Sequence, residues 1–145
     1  MRNYLFVLTM FFSLSISAQE IQLSWKKDFN VAREQAKSEN KPILVYFTKT
    51  GCEGCQEFYT EFFKQKDFTL LADDFVLLML NGSDHNENTT DISIMTQRRL
   101  TMHYNKASSY PALLVLDPLG KEIGDILTST DKTATASYLE FLKTL

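Results

Sequence analysis

The stretch Ile43-Leu44-Val45-Tyr46-Phe47-Thr48-Lys49-Thr50-Gly51-Cys52-Glu53-Gly54-Cys55 sets two signals side by side. It opens on an unbroken apolar, β-rich run, the pattern of a strand covered on both faces rather than one alternating between core and water. Such strands lie inside α/β sheets. From Cys55 onward, Cys55, Phe58, Tyr59, Phe62 and Phe63 recur at i, i+3, i+4, i+7 and i+8, the stripe of a helix packed on that sheet. The two cysteines therefore fall at a strand-to-helix junction.

Upstream, Asp28 is placed to cap a helix whose apolar positions are Phe29, Ala32 and Ala36, and Asn40-Lys41-Pro42 ends it. Downstream, the sequence predicts a second buried strand over 75–80, a polar loop over 81–91, and a helix over 92–104 with Ile92, Met95 and Met102 on one side. A third strand over 112–116, a turn at Asp117-Pro118-Leu119-Gly120 and a strand over 122–126 form an antiparallel hairpin. Thr130 or Asp131 caps a last helix, on which Tyr138, Phe141, Leu142 and Leu145 repeat at helical spacing. A βαβ half joined to a ββα half makes an α/β protein with a mixed sheet.

The N-terminus carries Arg2 and no acid, then an apolar run over 5–14 and the small residues Ser15, Ser17 and Ala18. That is the layout of a secretory signal peptide, and the run is shorter than a membrane-spanning helix requires. Residues 1–18 are expected to be removed, leaving one domain over 19–145 in an exported, periplasmic or otherwise extracytoplasmic protein. This mature chain holds 14 basic residues against 18 acidic ones, a net charge of −4 with no basic run, which argues against nucleic acid as a partner. Two cysteines do not make a multi-disulfide scaffold, so the pair calls for a local explanation.

Cysteines separated by two residues at a helix start lie one turn apart, close enough to bond, and each can attack a mixed disulfide formed by the other. Cys52 belongs at the helix N-terminus, where unpaired N–H groups and the helix dipole stabilise a thiolate. It is the candidate nucleophile. Cys55, on the apolar stripe, is the candidate resolving thiol. The same spacing serves metal sites and structural disulfides. Zinc calls for about four ligands, and the other strong candidates are His85 and His103 alone. Both are read as ordinary loop or surface residues; no metal and no cofactor is expected.

Lys41 to Phe47, the Gly51-Cys52-Glu53-Gly54-Cys55 turn, the aromatic helix after it, and Ser109-Tyr110-Pro111-Ala112 before an apolar strand resemble the thioredoxin superfamily. More narrowly, the chain resembles exported thioredoxin-like proteins and the C-terminal domain of the transmembrane thiol:disulfide interchange protein DsbD, over nearly all of 25–145. The resemblance implies a three-layer thioredoxin-like fold, a central mixed sheet flanked by helices. It also implies a cis proline at Pro111, beside the cysteines, where Tyr110 and Pro111 offer a backbone edge to substrate chains. The activity it implies is thiol:disulfide oxidoreduction through the Cys52/Cys55 couple.

Two positions depart from that family's pattern. The buried acid that often precedes the first cysteine by six residues is Tyr46 here, and a phenol with a pKa near 10 is a poor base near neutral pH. The tryptophan expected before the first cysteine is Gly51. Lys49, Glu57 or water are the candidates for the missing proton relay. Between the cysteines, Glu53 puts a negative charge beside the nascent thiolate, disfavouring it, with Gly54 neutral and Lys49 able to offset it. A strong oxidant needs a stabilised thiolate, so reduction or isomerisation of disulfides in exported proteins is expected, with a membrane-bound thiol reductase as electron donor. The competing reading is a non-catalytic binding module whose CxxC is a structural bridge or a copper-holding pair.

Overall fold

The computed structural model describes residues 22–82 and 91–145. The expected signal peptide, His85 and most of the polar loop lie outside the described residues.

The chain runs α1 (Phe29–Glu39), β1 (Ile43–Thr48), α2 (Glu53–Phe58), α3 (Lys66–Leu71), β2 (Val76–Asn81), α4 (Ile92–Tyr104), β3 (Ala112–Leu116), β4 (Glu122–Leu127) and α5 (Lys132–Leu142). The four strands lie in the order β2-β1-β3-β4. β1 is parallel to β2 and antiparallel to β3, and β3 is antiparallel to β4. This is the mixed sheet expected of a βαβ half joined to a ββα half. Each cap follows from its side chain: Asp28 accepts from the N–H groups of Asn30 and Val31, and Asp131 from that of Ala134.

Every residue from Ile43 to Phe47 is buried, because β1 is central and both faces of the sheet are covered. On one face Leu44 and Tyr46 meet Phe58, Phe62, Phe63 and Phe68 from the α2 and α3 region, with Tyr138, Leu139 and Leu142 from α5. On the other, Ile43, Val45 and Phe47 meet Phe29, Ala32 and Ala36 of α1, with Leu100 and Tyr104 of α4 packed against them. Helices, sheet and helices thus form three layers. Burying one such Phe or Leu contributes about 1.5–3 kcal/mol, so the paired faces of β1 dominate the stability of this centre.

Four features differ from the sequence expectation. The helix after the cysteines widens into a π-helical turn at Tyr59–Phe63. That turn lets the consecutive Phe62 and Phe63 both face the core, edge-on to each other at 5.3 Å. A separate α3 follows, anchored by Phe68, the one residue it buries. On α4, Ile92, Met95 and Met102 do share a side, but it faces away from the sheet, with exposures of 79, 40 and 59%. The inward side carries Leu100, Thr101 and Tyr104 instead. Leu145, at the chain end, is also exposed.

Candidate active site

β1 delivers the chain to a tight reversal at Lys49-Thr50-Gly51, closed by the Cys52 N–H donating to the Lys49 carbonyl at 3.3 Å. Gly51 has φ +72°, the left-handed region that favours glycine. A tryptophan would be strained there, so the departure from the family pattern at residue 51 is a requirement of this turn. Cys52 then takes the N-cap position of α2 with extended backbone. Its Sγ accepts from the Cys55 N–H at 3.1 Å.

Cys52 and Cys55 form a disulfide with their Cα atoms 5.2 Å apart. They are unequal, as the sequence predicts: Cys52 is half-buried, whereas Cys55 is 3% exposed and packed within the helix face. A backbone N–H aimed at Sγ, at the start of a helix, is the arrangement that stabilises a thiolate once the disulfide is opened. Glu53 and Gly54 are exposed in the first turn of α2, and no atom would obstruct a side chain at Gly54.

Tyr46 reaches the site from beneath. It is 2% exposed, lies among Trp25, Phe58, Tyr59 and Phe63, and its hydroxyl donates to the Cys55 carbonyl at 2.8 Å. Burial raises its pKa above the ordinary phenol value, with Tyr59 adding to the shift and a hydrogen bond with Thr48 opposing it. Near neutral pH it is a protonated donor that fixes the first turn of α2, not a base. A groove of about 340 Å³ borders Cys55, lined by Tyr46, Thr48, Gln56, Tyr59, Lys64 and Met79 among others, none of them a carboxylate. Lys49 is exposed in the turn, and Glu57 lines a different groove between α2 and α5. Neither Lys49 nor Glu57 lines the groove beside Cys55.

The Tyr110–Pro111 peptide bond is cis. Phe47 pairs with Ala112 across the sheet, so Pro111 stands at the end of β3 beside the Thr48 exit that leads to Cys52. Pro111 is buried and Tyr110 half-buried. Their pairing with substrate chains remains an expectation from resemblance.

Trp25 is a site neighbour that sequence reasoning passed over. Its indole N–H donates to the Tyr59 hydroxyl at 3.0 Å, and Lys26, next in the chain, pairs with the outer edge of β2 through Leu77 and Met79. A single bridging residue leaves no periodic signal, so only the lone tryptophan could have hinted at it. Asn105, buried at the end of α4, was missed as well.

A CxxC at the start of a helix that follows a central buried strand, in a mixed sheet covered by helices on both faces, is a thioredoxin-like arrangement. Residues 24–118 match the family model described as thioredoxin-like, and the chain belongs to that family. No match is found among the curated proteins. Among solved structures it is similar to a DsbH oxidoreductase, at 20% identity and a TM-score of 0.69, covering 86% of this chain and 87% of that one. A thioredoxin from Thermus thermophilus shares 20% identity with a TM-score of 0.62 over 86% of this chain and 87% of its own. The oxidised C-terminal domain of Neisseria meningitidis DsbD shares 16% with a TM-score of 0.58, covering 83% and 98%. At these identities the likeness is one of fold.

Proposed function

We propose that the protein is an exported thiol:disulfide oxidoreductase that reduces or isomerises disulfides of other exported proteins. The observation that carries this reading is the inequality of the two sulfurs: Cys52 half-exposed at a helix cap with an N–H on its Sγ, and Cys55 buried behind it. In the reduced protein the Cys52 thiolate attacks a sulfur of the partner's disulfide, forming a mixed disulfide and releasing one partner sulfur as a thiolate that takes up a proton. Cys55 loses its proton to water in the adjoining groove and attacks the Cys52 Sγ. The Cys52–Cys55 bond closes, and the second partner sulfur leaves as a thiol. Two electrons have passed to the partner. A membrane-bound thiol reductase supplies them back, because an exported domain does not meet cytosolic donors.

Glu53, next to the nucleophile, opposes thiolate formation and so favours the donor direction over the oxidant one. Among the described residues no helix is long and apolar enough to cross a membrane. The N-terminal layout of charge, apolar run and small residues supports export. Insulin reduction with dithiothreitol as terminal donor tests the activity. Wild type is expected to accelerate insulin precipitation, and Cys52→Ser to return it to the uncatalysed rate. Identical curves for the two would favour the binding-module reading.

A further inference from the structure

Apart from tyrosines, two polar side chains are buried among the described residues, Thr101 and Asn105. Asn105 is 1% exposed at the end of α4. A buried primary amide brings donors and an acceptor that must be matched. Here both ends close on one residue: Nδ2 donates to the Ser109 carbonyl at 2.7 Å, and Oδ1 accepts from the Ser109 N–H at 3.1 Å. The Asn105 main chain is fixed too. Its N–H donates to the Thr101 carbonyl of α4 at 2.8 Å, and its carbonyl accepts from the Ser108 N–H at 2.9 Å. Between the two pinned residues Ser108 adopts a left-handed φ of +51°.

The residue gripped in this way stands directly before Tyr110-Pro111. From the opposite side the Tyr110 ring lies against Gly82, where a Cβ would come within 2.6 Å of the ring Cζ and 2.9 Å of Cε1. Gly82 in turn donates its N–H to the Thr48 carbonyl at 2.8 Å, and the Asn81 side-chain amide donates to the Thr50 hydroxyl at 3.0 Å. The end of β2 therefore braces both the Tyr110-Pro111 edge and the turn that leads to Cys52.

We infer that Asn105 is a positioning residue for partner binding: by clamping Ser109 it fixes the Tyr110-Pro111 backbone relative to Cys52, so that a partner's extended, disulfide-bearing segment meets a preordered edge. The inference rests on the redox reading above and on partner chains pairing with the Tyr110-Pro111 edge, as the resemblance implies. An edge already ordered spares the partner the entropy of ordering it, which appears in binding of large substrates and not in the chemistry of the sulfurs. A small disulfide that makes no backbone contact should be indifferent to the clamp.

Asn105→Asp tests it. The variant keeps the size of the side chain and its acceptor for the Ser109 N–H, but turns an anionic oxygen toward the Ser109 carbonyl. With insulin as substrate, KM is expected to rise about tenfold while kcat, and the rate with glutathione disulfide, stay within about twofold of wild type. The KM defect relative to wild type should shrink at a pH low enough to protonate the new carboxyl, which then donates to Ser109 again. If Asn105→Asp fails to fold by circular dichroism, Gly82→Ala, which displaces Tyr110 from the other side, must give the same split. An unchanged KM, or equal losses with insulin and glutathione disulfide, would overturn the assignment. Wild-type protein inert toward both substrates would remove the redox reading itself, and this clamp's role with it.

Discussion

Cys55→Ser is expected to accumulate covalent complexes with partner proteins, while Cys52→Ser accumulates none and loses disulfide exchange altogether. Cys52 is the half-buried cysteine of the pair and the one presented to a partner, and the buried Cys55 is the one placed to release it. Removing the resolving thiol leaves the mixed disulfide with no internal exit, so its lifetime passes to external thiols. Non-reducing gels of each variant, mixed with a disulfide-bearing protein and quenched with acid, read the result. Equal trapping by both would reject the two roles. The effect should be close to all-or-none, because each variant deletes a bonding partner rather than weakening one.

Tyr46→Asp should separate rate from stability by large amounts in opposite directions. The tyrosine is packed between Phe58 and Phe63 with ring centroids 6.1 and 5.0 Å away, and its hydroxyl closes on the Cys55 carbonyl. Truncating a buried aromatic costs about 3–5 kcal/mol. Burying a carboxyl there adds a desolvation penalty of about 1–3 kcal/mol. A melting temperature far below wild type is therefore expected. In the fraction that stays folded, the new carboxyl would have its pKa raised by burial and would give Cys55 a base the wild-type groove lacks. Reduction per folded molecule near neutral pH is expected to rise, by up to about a hundredfold, the low end of general acid–base effects. Tyr46→Phe is the control. It keeps the packing, loses one hydrogen bond of about 1 kcal/mol, and should leave the rate nearly unchanged, since the wild-type phenol carries no proton to or from sulfur. Stopped-flow rates compared with circular dichroism melts decide both. A folded Tyr46→Asp protein that reduces substrate no faster than wild type would show that proton transfer at Cys55 is not limiting.

The central architecture was legible because its signals are local and redundant. The Ile43 to Phe47 run has only one reading when followed by a CxxC and a helical stripe, and Asp28, Asp131 and the Asp117 to Gly120 turn sit where side-chain chemistry requires them. The unequal burial of Cys52 and Cys55 followed from position on the helix alone. What escaped has physical reasons. Periodicity tells which residues of α4 share a side but not which side turns inward; there Tyr104, hydrogen-bonded to the Gly120 carbonyl at 2.7 Å, outweighed the Ile92, Met95 and Met102 stripe. The π-helical turn preserves the apolar spacing of an α-helix closely enough to hide in it, and α3, burying only Phe68, has no stripe to read. Tyr46 was recognised as a missing acid, yet its part as a hydrogen-bond donor to Cys55 needed the distance. Asn105 is buried by its pairing with Ser109, and a polar residue buried by its hydrogen bonds leaves no trace in hydropathy.

The measurement that bears most directly on the proposed role is the reduction potential of the Cys52/Cys55 couple, equilibrated in dithiothreitol or glutathione buffers and read by thiol alkylation. A reductase or isomerase with Glu53 beside its nucleophile is expected to lie between about −180 and −270 mV. A value near −120 mV would make the protein an oxidant and contradict the direction of transfer. A couple that resists reduction to well below about −300 mV would mark the bond as a structural bridge and contradict the redox role altogether.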